Sequence, residues 1–146
     1  MASSPDTLYS GGLATCAAVG AICGERGYLV HDALTPVKGG RLRNLLEDLK
    51  RDVTDYSNLL IWVAGVGSQI HSEDDKLNKK FQELVDKKRN YVLGLIEEYE
   101  MRDNITQVRW GQPAEGLVMT LDLSTGTGTI ESLDERMVQL QEEFVV

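Results

Sequence analysis

Three residues in the first part of the chain have side chains that together support nucleophilic catalysis: Ser10, Cys16 and His31. A free thiol titrates near pKa ~8.5, and an adjacent imidazole that accepts its proton makes the sulfur a nucleophile at neutral pH. The Ser10 hydroxyl supplies a third group, of the kind that orients the imidazole in a catalytic triad. We therefore treat these three residues as candidate catalytic residues.

Glycines before Cys16 favour an oxyanion site around it. Gly11 and Gly12 let the backbone approach a substrate closely, and we expect the N–H groups of Gly12, Thr15 and Cys16 to face the oxyanion that forms during attack on an amide. The residue types alone leave a second interpretation open, in which Cys16 is a buried structural residue and His31 is unrelated to it. Free cysteine is among the most buried residue types, which favours that interpretation. His71 is the other candidate base, but its position between a strand and a helix favours an exposed residue.

Two apolar segments are predicted to hold Cys16 and His31 in one β-hairpin. Cys16 opens a run of small and β-branched residues, which favours a buried strand, and a second apolar run ends at His31. The polar segment 24–27 predicts the turn between them. Pairing across that turn places Cys16 and His31 about two rungs apart on a diagonal, a gap that a bulge or a neighbouring strand would close.

The rest of the chain predicts alternating helices and strands. Apolar residues at helical spacing predict helices over about residues 41–52 and from Ser72 to about Glu100, and Ser72 with Asp75 resembles a capping box. Strands are predicted over residues 59–64, 105–110, 117–123 and 127–130, and an acidic terminal helix or tail over 131–146. The pattern predicts one domain, residues 1–146, with an α/β fold: a layered α/β sandwich with a mixed, largely antiparallel sheet and two main helices.

The composition argues against several functional classes. The net charge of −8 opposes binding to nucleic-acid phosphates, and no apolar run approaches the ~20 residues that span a bilayer. The N-terminus lacks the basic region of a signal peptide, so we expect a cytoplasmic protein without membrane association. Cys16 and Cys23 are too few for a zinc site, and residues 65–68 lack the third glycine and the lysine of nucleotide-binding motifs. We accordingly predict no cofactor and no metal.

The segments around the candidate residues resemble a known family. Ser10-Gly11-Gly12-Leu13-Ala14-Thr15-Cys16-Ala17-Ala18-Val19 is similar to the glycine-rich lead into the catalytic cysteine of chemoreceptor glutamine deamidases, the CheD family. Gly27-Tyr28-Leu29-Val30-His31-Asp32-Ala33-Leu34 resembles that family's next strand, which ends in the catalytic histidine, and segments 59–67 and 116–126 resemble later strands. The order of these segments carries the resemblance more specifically than any single motif. The broader fold group includes the catalytic domains of cytotoxic necrotizing factor toxins, which also use a Cys/His pair.

The resemblance implies a cysteine-dependent protein-glutamine deamidase, which hydrolyses a glutamine side chain to glutamate and ammonia through a thioester. It implies Cys16 as the nucleophile, His31 as acid and base, and Ser10, which stands where the family usually has threonine, as the residue that orients His31. The implied partner is a protein substrate that bears a glutamine. Two other functions remain open. One is a non-catalytic interaction protein on the same scaffold, with acidic segment 131–146 as its docking surface, and the other is a cysteine hydrolase or transglutaminase of other amides.

Overall fold

The computed structural model describes residues 7–13, 15–34, 40–67, 74–112, 116–132 and 135, which form a layered α/β sandwich. The elements in chain order are β1 (Thr7–Leu13), β2 (Ala17–Cys23), β3 (Arg26–Asp32), α1 (Gly40–Asp52), β4 (Leu59–Gly65), α2 (Asp75–Glu98), β5 (Ile105–Trp110), β6 (Leu117–Asp122) and β7 (Thr127–Ser132). Short 3₁₀ helices, Tyr56–Asn58 and Arg102–Asn104, lead into β4 and β5. The predicted fold class is therefore confirmed, including its two main helices.

The strands of the described residues divide between two sheets. One sheet has the order β3-β2-β4-β5 and is antiparallel except for the parallel pair of β4 and β5. The other has the order β1-β6-β7 and is antiparallel throughout. A parallel pair needs a long crossover, and α2 provides it between β4 and β5. The two central strands, β2 and β4, are buried along nearly their whole length, as expected for strands that are covered on both faces.

Two apolar cores separate three layers. Alternate residues of β2 point to opposite faces of the sheet: Ala17 and Val19 join the core beneath the helices, whereas Ala18 and Ile22 join the core between the two sheets. Trp62 of β4 is buried in the core between the sheets. His31, which pairs with Ala18, and Ser10, which pairs with Met119, lie at this second core, so the spacing between the two sheets governs their geometry.

The second helix begins at Asp75 and is capped by Asp74. The Asp74 carboxylate accepts hydrogen bonds from the backbone N–H groups of Lys76 (2.9 Å) and Leu77 (3.4 Å), which replaces the capping box predicted at Ser72. Ser72 and His71 lie outside the described residues, as do residues 133, 134 and 136–146 of the predicted acidic terminal segment. Within the described ranges, no helix combines the length and the apolarity that crossing a bilayer requires.

Candidate functional site

The hairpin of β2 and β3 carries the candidate nucleophile and base. Its turn consists of Gly24 and Glu25, because Cys23 already pairs with Arg26. Gly24 has φ +62°, the positive value that a two-residue hairpin turn of type II′ requires at its first central position. The predicted turn over residues 24–27 is therefore corrected to a tighter one.

The tighter turn brings Cys16 and His31 closer together than the sequence predicted. His31 pairs with Ala18, and Cys16 precedes Ala18 by two residues. In register, Cys16 is thus one diagonal step from His31 instead of about two, and it lies in the bend that precedes β2. His31 pairs with Ala18 and therefore lies on the face of Ala18, which is directed toward the core between the sheets.

Ser10 reaches the same place from the other sheet. In β1 it pairs with Met119 of β6, whose side chain is buried between the sheets, and Ser10 itself is buried. Its Oγ lies 3.0 Å from Nδ1 of His31. The structure therefore brings Ser10 and His31 into hydrogen-bonding contact across the two sheets.

In one of the two neutral tautomers of His31, this contact leaves Nε2 available as a base. When Nδ1 carries the proton, it donates to the Ser10 hydroxyl, and Nε2 is left as a base. The backbone of His31 is also held, since Nη1 of Arg41 donates to its carbonyl oxygen at 3.3 Å. The arrangement can hold the imidazole ring of His31 in one orientation, as the third residue of a catalytic triad does.

The predicted oxyanion donors lie where the chain changes direction between the two sheets. The pairing of β1 with β6 shifts between Ser10 and Leu13, so that one extra residue of β1 forms a β-bulge at the position of Gly11 and Gly12. Thr15 and Cys16 then form a half-buried bend between β1 and β2. The assignment of the N–H groups of Gly12, Thr15 and Cys16 to an oxyanion stays a prediction.

Asp32, the residue after His31, has a structural role that the sequence analysis did not assign. Its buried carboxylate accepts hydrogen bonds from the backbone N–H groups of Leu34 (2.9 Å) and Leu42 (3.1 Å). One carboxylate thus holds the chain that leaves β3 and satisfies an N–H group in the first turn of α1. No local motif signals this role, because Leu42 is ten residues away.

The segment after β4 fixes the backbone of Cys16. The backbone N–H of Val66 donates to the carbonyl oxygen of Cys16 at 2.9 Å. Gly65 has φ +106°, and a Cβ atom at this position would overlap the same carbonyl oxygen. Gly65, Val66 and Gly67 are buried, so these residues pack against Cys16 and do not form an open phosphate-binding turn.

A surface depression of about 530 Å³ lies away from these residues, beside the ends of α1 and α2. It is lined by Arg43, Glu47, Lys50, Tyr56, Glu98, Tyr99 and Glu100. The Tyr99 hydroxyl donates a hydrogen bond to the Glu47 carboxylate, which raises the pKa of Tyr99. Two of the polar side chains that line the depression are therefore bonded to each other. Among the described residues, no group of three or more histidine, cysteine, aspartate or glutamate side chains is arranged to hold a metal ion.

No protein-family model matches the chain, and no curated protein sequence matches it. Function is therefore inferred from the geometry of Ser10, Cys16 and His31, together with the order of the segments described above.

Proposed function

We propose that the protein is a cysteine-dependent protein-glutamine deamidase that acts in the cytoplasm. The observation that carries this proposal is the 3.0 Å contact between Ser10 Oγ and His31 Nδ1, formed across two sheets. Cys16 is one diagonal step in register from His31, and this proximity supports transfer of the thiol proton to the imidazole. The resemblance to the CheD family supports the side-chain amide of a glutamine in a protein as the substrate group.

In the first half of the reaction, Cys16 gives its proton to His31, and the thiolate attacks the carboxamide carbon of the glutamine side chain. The carbonyl electron pair moves onto oxygen, where the N–H groups of Gly12, Thr15 and Cys16 stabilise the negative charge. When this intermediate collapses, the C–N bond breaks and the His31 imidazolium protonates the leaving nitrogen. Ammonia departs, and a thioester to Cys16 remains.

In the second half, His31 acts as the base toward water. It accepts a proton from a water molecule while the oxygen attacks the thioester carbon. The C–S bond then breaks, and the Cys16 sulfur recovers its proton from His31. The glutamine has become a glutamate, so the partner protein gains one negative charge at that position, which alters the field of its surface.

The experiment that tests this proposal measures ammonia release and product mass. The full chain is incubated in heavy-oxygen water with a panel of synthetic glutamine-containing peptides and folded proteins. We expect the wild type to release ammonia and to place one heavy oxygen in each new carboxylate. Cys16→Ser releases none, whereas Cys23→Ser, which removes the other half-buried free thiol, behaves as the wild type.

Each other outcome points to a different function. Incorporation of an added primary amine into the substrate in place of heavy oxygen identifies a transglutaminase. Hydrolysis of free small amides without hydrolysis of peptides or proteins identifies a small-amide hydrolase. Ammonia release that persists in Cys16→Ser contradicts the assignment of the nucleophile.

A further inference from the structure

Val66 has a backbone conformation that β-branched residues rarely adopt. Its φ is +46°, and it follows Gly65, whose φ is +106°. The left-handed region is unfavourable for a side chain that branches at Cβ, so the surroundings must hold this turn in place. The turn formed by Gly65 and Val66 begins where β4 ends, directly beside Cys16.

Three hydrogen bonds hold the turn directly, and a fourth joins Arg89 to Gly111 beside it. The N–H of Val66 donates to the carbonyl of Cys16 at 2.9 Å, and the N–H of Gly111 donates to the carbonyl of Gly65 at 2.9 Å. The side chain of Arg89 supplies the other two: Nε donates to the carbonyl of Val66 at 2.9 Å, and Nη2 donates to the carbonyl of Gly111 at 3.2 Å. Arg89 therefore joins the ends of β4 and β5 through a single planar group.

The environment of Arg89 suits a fixed guanidinium. The residue lies on α2 and is half-buried, and its guanidinium carbon is 5.4 Å from the centre of the Trp110 ring. Burial lowers the pKa of Arg89, and the nearby Asp86 carboxylate opposes that change. An arginine stays charged under such conditions. Its rigid fork can bond two carbonyl oxygens at once, which the single ammonium of a lysine does less well.

We propose that Arg89 is a positioning residue for Cys16. It holds the strained turn of Gly65 and Val66, and the N–H of Val66 in turn fixes the peptide unit that begins at the Cys16 carbonyl. The proposal rests on the proposed function, since the placement of Cys16 matters to activity only if its sulfur reacts. A side chain on α2 would then set the geometry of a nucleophile that lies in another layer of the fold.

The test compares wild type, Arg89→Ala, Arg89→Lys and Val92→Ala in the full chain. Val92 is fully buried on the same helix, so Val92→Ala weakens the packing of α2 and leaves all four hydrogen bonds in place. The rates of alkylation of Cys16 and Cys23 by iodoacetamide are measured by mass spectrometry under native conditions. Exchange of the Val66 amide hydrogen is followed by NMR.

We expect Arg89→Ala to lower the ratio of the Cys16 rate to the Cys23 rate by about tenfold, because small displacements of a reacting group have large effects on rate. We also expect faster exchange of the Val66 amide. Arg89→Lys should recover part of both effects, and Val92→Ala should change neither. If Arg89→Ala and Val92→Ala change the rate ratio and the amide exchange alike, Arg89 merely stabilises the helix and the proposal is wrong.

Glutamine hydrolysis is measured separately on the same variants. If the protein has no deamidase activity but Arg89→Ala still lowers the Cys16 alkylation ratio and speeds exchange of the Val66 amide, the proposed function is wrong and the positioning role stands. If the protein is a deamidase and Arg89→Ala changes neither its activity nor the rate of Cys16 alkylation, the positioning role is wrong and the proposed function stands.

Discussion

Ser10 and His31 belong to different sheets, yet Oγ of Ser10 lies 3.0 Å from Nδ1 of His31. Ser10 faces inward from β1 just before its bulge, and His31 faces inward near the end of β3. A shift of either strand by one residue would turn one of these side chains to the opposite face. The contact therefore depends on the register of both sheets, and no local segment of sequence could form it alone.

Ser10→Ala should lower the rates of glutamine hydrolysis and of Cys16 alkylation by at least about tenfold, because the imidazole loses the hydrogen bond that orients its ring. Ser10→Thr, which keeps the hydroxyl, should retain most of the activity. Ser132→Ala is the matched control, since Ser132 is also a buried serine of the same sheet and its Oγ accepts from the N–H of Glu135. An equal loss in Ser132→Ala would contradict a specific role for Ser10.

His31→Ala should remove the selectivity of Cys16 toward alkylation. Cys16 and Cys23 are both free and half-buried, so each wild-type molecule contains its own control. At neutral pH we expect iodoacetamide to modify Cys16 faster than Cys23, because an imidazole lies near only the first, and we expect similar rates in His31→Ala. Equal, slow modification of both cysteines in the wild type would contradict an activated Cys16.

The local pattern of the sequence was enough to predict the fold class, both main helices and six of the seven strands that the described residues form, but it did not predict β1. Helical spacing of leucines predicted α1, and the apolar run before Gly65 predicted β4, because these signals reside within single segments. The candidate pair of Ser10 and His31 was also predicted, from residue types and from the order of motifs, and the structure places these side chains in contact.

Features that depend on distant residues escaped the sequence analysis. The separation of the strands into two sheets is set by packing between elements far apart in the chain, such as β1 and β6. The role of Asp32 depends on an N–H group ten residues later, and the turn at Val66 depends on Arg89, which lies on another element. Neither the role of Asp32 nor the turn at Val66 produces a residue pattern with the spacing of a helix or a strand.

Asp32→Ala should lower the free energy of unfolding by about 2 kcal/mol, since it leaves two buried N–H groups without their acceptor. Asp122→Ala is the matched control. Its carboxylate accepts from the N–H and the hydroxyl of Ser124, but in an exposed turn, so we expect a change within about 0.5 kcal/mol. Urea denaturation of both variants measures the difference, and similar losses would contradict the capping role of Asp32.

Gly65→Ala should disrupt both stability and the reactivity of Cys16. The added methyl group would overlap the carbonyl oxygen of Cys16, so the backbone of Cys16 must move. Gly126→Ala separates this effect from the cost of a left-handed backbone, because Gly126 has φ +70° and open space around its Cβ position. We expect Gly126→Ala to cost about 1 kcal/mol and to leave Cys16 alkylation unchanged. If Gly65→Ala and Gly126→Ala had the same thermal unfolding temperature and the same rate of Cys16 alkylation, the close approach of Gly65 to the Cys16 carbonyl would be contradicted.

Asp52→Asn should make the stability of the protein less dependent on acid pH. The Asp52 carboxylate accepts hydrogen bonds from Nε of Arg51 (3.0 Å) and from the Tyr28 hydroxyl (2.9 Å), and it thereby ties the end of α1 to β3. The hydrogen bond from Arg51, followed by that from Tyr28, lowers the pKa of Asp52 in the folded protein. A lowered pKa means that the ionised carboxylate contributes stability above the unfolded value of about 3.9, and that this contribution is lost as pH falls through the folded value.

We therefore expect the wild type to lose more stability than Asp52→Asn when the pH is lowered from about 5 to about 2. At neutral pH we expect Asp52→Asn to be less stable than the wild type, because the ionised Asp52 carboxylate then contributes its full stabilisation. Asp103→Asn, on the exposed 3₁₀ helix before β5, controls for the removal of one negative charge. Urea denaturation at a series of pH values measures these differences. Parallel curves for wild type and Asp52→Asn would show that the hydrogen bonds to Asp52 contribute no pH-dependent stability.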